Sequence, residues 1–388
     1  MKKTKTLKSM AVMLAFALLL GGCGNGGGET TEAPAESAES TEAVSQAEGS
    51  EQGDAQPTTG EGKVIEVVAK GFQHQFWKAV YQGAQQAADQ YGATMTFQGP
   101  KNETAIQEQV QMLANAINKK PDAVALAALD TKASLDLLNQ AKDANIPVIG
   151  FDSGIPDAPE GLVVATAATD NEAAAAIGAE KMFEALKSKM EAAAEGQPVR
   201  IGVVSQEVNS ASISGRTKGF IDKYVELSKA LPNVGDKVAV VGNDKFKAGD
   251  EATAVVVIDL AVPAQVTDAE GQTQAQTLLN KQDLIGIFGS NEFGAKAIIN
   301  ANNALGGVVG EGKIVAVGFD SGKIQIDAIK NKTLFGSVTQ DPVSIGFNAV
   351  EMAIKASNGE TVEDVDTGAV WYDSTNVDSE EVKPLLYE

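Results

Sequence analysis

Two carboxylates stand out by their setting. The pentapeptide Gly-Phe-Asp-Ser-Gly occurs at Gly150–Gly154 and again at Gly318–Gly322. Each copy follows a short run rich in β-branched residues, Ile146–Ile149 and Ile314–Val317, of the length expected for buried parallel strands. Asp152 and Asp320 are therefore expected at the carboxyl ends of two strands, one in each half of the chain. In open α/β sheets that edge is where ligands sit. Either Asp alone could equally cap a following helix, but two matched strand ends in two halves are what a binding cleft between paired lobes requires.

Chemistry other than binding has little to draw on. His74 is the only histidine, so a Ser-His-Asp triad would have to use it, and no nucleophile elbow lies nearby. There is no His/Cys cluster for zinc, no calcium loop, no Walker A loop and no Gly-rich dinucleotide turn. We expect no enzyme, no cofactor and no metal.

The elements that must position the two carboxylates follow one alternation. Strands are expected at Val64–Ala69, Thr94–Phe97, Ala123–Ala128, Ile146–Ile149 and Leu162–Thr166, separated by helical patterns such as Phe76, Val80, Ala84, Ala87 and Tyr91. A long Ala-rich helix follows Asp170 and runs toward Met190. Strands at Val199–Val204, Val238–Val241, Leu284–Phe288 and Ile314–Val317 then alternate with helices at Phe220–Leu227, Thr273–Leu279, Phe293–Ala301 and Ile324–Ile329. Such repetition is the pattern of two Rossmann-like, doubly wound parallel sheets. At over 320 residues, the body from Lys63 onward suits two lobes better than one core.

The first 62 residues carry a different message. Lys2, Lys3, Lys5 and Lys8 precede the apolar run Met10–Leu20, too short to span a membrane and shaped like a secretory signal. Leu20-Gly21-Gly22-Cys23 resembles a bacterial lipobox, which implies a signal at residues 1–22 and a lipidated Cys23. Cys23 is the only cysteine, so no disulfide forms within the chain. Residues 24–62, dominated by Gly, Ser, Thr, Ala and Glu, cannot offset their conformational entropy and read as a disordered acidic tether. The formal net charge is −21. Without the four signal lysines and the nine linker acids, about −16 remains on the body, which argues against nucleic acid as a partner.

Seven stretches, taken in order, resemble the ribose- and galactose-type periplasmic binding proteins. They are Val67–Gln85 with its Gln73-His74-Gln75-Phe76-Trp77 turn, Ile146–Asp152, Ala168-Thr169-Asp170-Asn171, Gly215–Phe220, Phe288-Gly289-Ser290-Asn291-Glu292, Val317–Asp320 and Val338–Pro342. The resemblance implies two lobes joined by a three-stranded hinge, with crossovers near Thr169, Gln340 and Asp366. The first lobe would be 63–168 with 341–368, the second 169–340 with 369–388. It also implies a monosaccharide or polyol ligand, an ABC permease as partner, and a monomer held outside the cytoplasm by its lipid.

Carried over by position, the ligand-binding residues are His74, Phe76, Trp77, Asp152, Ser153, Thr169, Arg216, Asn291, Asp320 and Gln340. A carboxylate accepts from two adjacent hydroxyls, Arg, Asn and Gln donate to sugar oxygens, and aromatic faces cover C–H surfaces. Duller roles exist beside these. Phe76 could serve the core, His74 could be a loop surface residue, Arg216 could bridge to a carboxylate and Thr169 could cap the helix at Asn171. Ser153 stands where some relatives have a second arginine and Ala127 where an asparagine is found, so ribose itself is in doubt. Phe246 is a candidate second-lobe aromatic, and the apolar stretch within 251–272 suggests an extra strand or hairpin. The same architecture would also suit a nucleoside, a signalling molecule, or a sensor working with a membrane kinase.

Overall fold

The structure, a computed structural model, describes residues 59–72 and 74–387. The expected signal, Cys23 and the tether up to residue 58 lie outside the described residues. The first lobe is built from β1 (Val64–Val68), α1 (Gln75–Tyr91), β2 (Thr94–Gln98), α2 (Ile106–Asn118), β3 (Ala123–Leu126), α3 (Leu135–Asp143), β4 (Val148–Phe151) and β5 (Ala165–Ala168). The second contains α4 (Asn171–Ala192), β6 (Val199–Val204), α5 (Ala211–Lys229), β7 (Val238–Val241), β8 (Val256–Ala261), α6 (Asp268–Leu279), β9 (Leu284–Gly289), α7 (Glu292–Ala304), β10 (Val315–Phe319), α8 (Lys323–Lys330) and β11 (Gly336–Gln340). The chain then returns through α9 (Pro342–Ser357) and β12 (Val365–Asp366) to the first lobe, and β13 (Ala369–Asp373) rejoins the second.

The first sheet has the order β12-β5-β4-β3-β1-β2 and is parallel throughout. The second has the order β13-β11-β10-β9-β6-β8-β7, parallel except for the β11–β13 pair. Strands β3 and β4 are buried along their whole length, as strands covered by helices on both faces must be. That is why their sequences read as continuous apolar runs rather than alternating ones.

Three crossings join the lobes, and they are stitched to one another. The Thr169 hydroxyl donates to the carbonyl of Gly368 at 3.1 Å, and the backbone N–H groups of Thr367 and Asp170 donate to Ala168 O and Asp366 Oδ1. The cap of α4 is Asp170, which accepts from the N–H of Ala173, so Thr169 serves the crossing rather than the helix. The return segment is pinned to the first lobe where α1 and α9 cross at backbone contact. A Cβ at Gly83 would lie 1.9 Å from Val343 O, and one at Gly346 would lie 1.9 Å from Val80 O.

Three sequence expectations are refined. Of the two alternatives for the apolar stretch within 251–272 it is a strand and not a hairpin: β8 inserts between β6 and β7 as a buried interior strand of the second lobe. It escapes a strand-helix alternation because β7 reaches β8 without a helix, doubling back through an antiparallel bridge between Val240 and Ala248. Helix α5 begins at Ala211 rather than near Phe220, with Ser210 as the cap accepting from Ile213 N–H. Ser210, Ser212 and Ser214 thus form the cap and first turn of the helix, and Arg216 lies within it. Finally, β5 lies at Ala165–Ala168, starting three residues and ending two residues later than expected.

Candidate ligand-binding site

The two copies of the pentapeptide place their Asp in the same way, though they part at the last residue, where Gly322 has a φ of 139° and Gly154 does not turn positive. Asp152 N–H donates to Ala167 O on β5, and Asp320 N–H donates to Val338 O on β11. Both residues then turn left-handed, with φ of 52° and 69°, a region Asp tolerates better than most residues because its short side chain can bond locally. Each strand therefore ends in a hydrogen-bonded Asp at its sheet edge. The two edges face one another, and both carboxylates line a single cavity between the lobes.

From the first lobe the cavity is walled by Lys70, His74, Phe76, Trp77, Glu103 and Asp152; from the second by Ile213, Arg216, Asn291, Glu292, Asp320 and Gln340. Only about 20 Å³ is open to water centres, room for about one molecule. The rest is filled by side chains bonded to each other. The Arg216 guanidinium lies between the paired carboxylates, 3.0 Å from Asp320 Oδ2 and 3.9 Å from Asp152 Oδ1, and stacks 4.2 Å over the Phe319 ring. Its Nε donates to Asn171 Oδ1 at 2.7 Å. Asp320 also accepts from Gln340 Nε2 at 2.6 Å and from the N–H of Glu292 at 3.2 Å. Gln340 Oε1 is buried and has no partner among the described residues.

Several contacts run from lobe to lobe. Lys70 Nζ sits 3.1 Å from Asp152 Oδ2 and donates to Ser212 Oγ at 2.9 Å. Glu103 accepts from Trp77 Nε1 at 2.5 Å and from Gln206 Nε2 at 2.9 Å, and Gln206 in turn accepts from Asn291. His74 Nδ1 lies 3.4 Å from Glu292 Oε2.

These pairings set the charge states. Burial works against the Lys70 ammonium, but Asp152, Glu103 and Glu207 outweigh it and hold its pKa above the usual lysine value. Burial would raise Glu103, yet His74 and Lys70, with donors from Gln206 and Trp77, hold it below the ordinary carboxylate range. Burial likewise lowers His74, but its pairing with Glu292 and the fields of Glu103 and Asp320 win, and the imidazole is pushed up to about 9. The cavity thus sets three basic side chains, Lys70, His74 and Arg216, against four acidic ones, Glu103, Asp152, Glu292 and Asp320.

Eight of the ten residues singled out from the sequence line this cavity: His74, Phe76, Trp77, Asp152, Arg216, Asn291, Asp320 and Gln340. Ser153 and Thr169 do not. Ser153 Oγ accepts from the N–H of Ser212, tying the lobes together beside the cavity, and Thr169 is consumed by the hinge. Phe246 packs half-buried on the second-lobe core and lines an outer groove instead. Ala127 is core. Sequence reasoning missed Lys70, Glu103 and Glu292; Lys70 and Glu292 lay inside stretches already marked, and only Glu103 lay outside them all.

Known proteins resemble the chain along most of its length. A family model described as a periplasmic binding protein domain matches residues 65–361. Among curated proteins, the D-ribose/D-allose-binding protein of Pseudomonas aeruginosa is 22% identical over 79% of this chain and 86% of its own. The D-apiose import binding protein of Actinobacillus succinogenes is 26% identical over 49% of this chain, a match spanning 64% of that protein, under two thirds of its length. Among solved structures, one described as an ABC transporter, LacI family transcriptional regulator, from Brachyspira murdochii is 42% identical with a TM-score of 0.70, covering 84% of this chain and 99% of that one. An ABC transporter solute-binding protein from Agrobacterium vitis with bound D-fucose is 32% identical with a TM-score of 0.68, covering 84% and 100%. The two curated relatives and the Agrobacterium vitis protein are binding and transport proteins, not enzymes.

Proposed function

The chain belongs to the periplasmic binding protein family, and from that premise we propose that it captures a monosaccharide or related polyol outside the cytoplasm and delivers it to an ABC importer. In this reading Cys23 carries a lipid that holds the monomeric protein at the membrane surface, with the acidic tether letting the body move above it. Among the described residues no helix is long and apolar enough to cross a membrane.

The observation that carries the reading is the convergence of Asp152 and Asp320, one from each lobe, on one buried cavity. Two carboxylates flanked by Arg216, Asn291 and Gln340 offer paired acceptors and planar donors, the complement of a ring of hydroxyls. Phe76 and Trp77 supply an apolar wall. The nearly balanced charge of the cavity suits a neutral ligand whose hydroxyls replace the side-chain pairings one for one. Since the closed cavity is too small for a sugar ring, the ligand enters with the lobes apart, and closure then completes its shell.

A thermal-shift screen of pentoses, hexoses, deoxysugars, polyols and nucleosides, followed by calorimetry, tests the reading. One sugar or polyol is expected to stabilise the protein, and Asp152→Asn and Asp320→Asn each to lose its binding while melting cooperatively. Unchanged affinity in both variants, or stabilisation by nucleosides alone, would overturn it.

A further inference from the structure

The segment after β13 returns toward the first lobe. Val377 and Val382 are buried in the second-lobe core, Leu386 packs against it, and Leu385 O accepts from the Thr339 hydroxyl at 3.2 Å. The next residue changes sides. Tyr387 is buried in the first-lobe cluster, its ring edge-on to Phe76 at 5.9 Å. Its polar atoms stay with the second lobe: the N–H donates to Ser321 Oγ at 3.1 Å, and Oη accepts from the N–H of Ser321 at 3.2 Å. Phe76 walls the cavity, and Ser321 follows the Asp320 turn. One residue thus braces a cavity element of each lobe.

The geometry points to Tyr387 as a latch between the lobes, a positioning residue whose ring docks on Phe76 only when the cleft is closed. This rests on the closure mechanism proposed above. Parting the lobes draws Phe76 away from Ser321, and Tyr387 can follow only one of them. Two hydrogen bonds and the anchored stretch 377–386 keep it with Ser321, so the ring contact is what opening gives up. Burial of the ring therefore favours the closed form. The bond between Oη and Ser321 persists in both forms and favours neither.

That asymmetry gives the test. In the full chain carrying Cys23→Ser, spin labels on Lys132→Cys and Asp244→Cys sit at exposed positions of opposite lobes, beside the groove lined by Lys132 and Lys245. Pulsed dipolar distances are followed through titrations with D-ribose, D-allose, D-arabinose and D-fucose. Tyr387→Ala is expected to raise the sugar concentration at half-closure about tenfold, whereas Tyr387→Phe moves it less than about twofold although both variants melt earlier. A midpoint in Tyr387→Ala equal to that of the unsubstituted protein, or a shift in Tyr387→Phe as large as in Tyr387→Ala, overturns the latch. Should Tyr387→Ala fail to fold, Tyr387→Leu, which keeps an apolar anchor without the ring, takes its place with the same two outcomes. If none of the four sugars closes the unsubstituted protein, the closure reading fails for that panel. The latch is then decided on the ligand-free distances, where an undiminished short-distance fraction in Tyr387→Ala overturns it.

Discussion

Closure of the cleft should take up a proton. His74 belongs to the first lobe and its partner Glu292 to the second, 3.4 Å apart, so the pairing that pushes the imidazole up to about 9 exists only while the lobes are together. With the lobes apart, His74 returns toward the ordinary value near 6.5. The folded, closed form has the raised pKa, so its extra stability is fully present below about 6.5 and is lost as pH rises through about 9. At pH 8 a closed-form imidazole at about 9 is about 90% protonated and one at the ordinary 6.5 about 3%, and because Glu103 stays beside His74 in the first lobe, roughly 0.9 proton per binding event is the upper bound. The gap between the two values bounds the effect at roughly 3 kcal/mol, a fall in affinity of two orders of magnitude or slightly more between pH 5 and pH 10. Calorimetry of the stabilising sugar at pH 8, in buffers of different ionisation enthalpy, reads the proton count directly. His74→Gln should abolish the uptake and flatten the pH profile. Absence of uptake in the unsubstituted protein, or the same uptake in His74→Gln, would refute the assignment of this histidine to the cleft contact.

Two further outcomes test the frame around the site. Arg200 is held by Asp259, Asp283 and Glu251 at the far end of β6, and Arg200→Met should cost about 3–5 kcal/mol by urea denaturation, nearer the lower figure because Lys281 still pairs with Asp259; sugar affinity should not change. Gly83→Ala should lower stability by at least about 1–3 kcal/mol, because its methyl would meet Val343 O. A Gly83→Ala protein of unchanged urea midpoint would mean that α1 and α9 slide past each other freely.

The sequence carries the scaffold well because the scaffold is local. The runs before Gly150 and Gly318 are short, apolar and abruptly ended, so the placement of Asp152 and Asp320 at strand ends needs no knowledge of distant residues. Lys70 and Glu103 are a different case. Lys70 follows β1 as a single cation beside Gly71 and reads as solvated; its burial is created by Asp152 and Ser212, far along the chain. Glu103 sits in a polar loop, and nothing near it announces Trp77 and Gln206 as its donors. Arg216 shows the same limit: its residue type is legible, but its stacking on Phe319 and its position between two carboxylates are products of tertiary folding. Strand β8 is legible as an extra strand, but its interior place is not, because a rule of alternating strands and helices has no place for two parallel neighbours joined without a helix.

The guanidinium lodged between Asp152 and Asp320 turns recognition into an exchange reaction. At Asp320 an arriving molecule must outbid internal competitors, the Arg216 and Gln340 donors already bonded to its two oxygens, whereas Asp152 Oδ1 stands 3.9 Å from the guanidinium, within ion-pair reach but beyond a hydrogen bond. Molecules lacking one correctly placed hydroxyl therefore lose twice, forfeiting their own bond and leaving the displaced cation without compensation. Discrimination among stereoisomers can then be sharp even where overall affinity is modest.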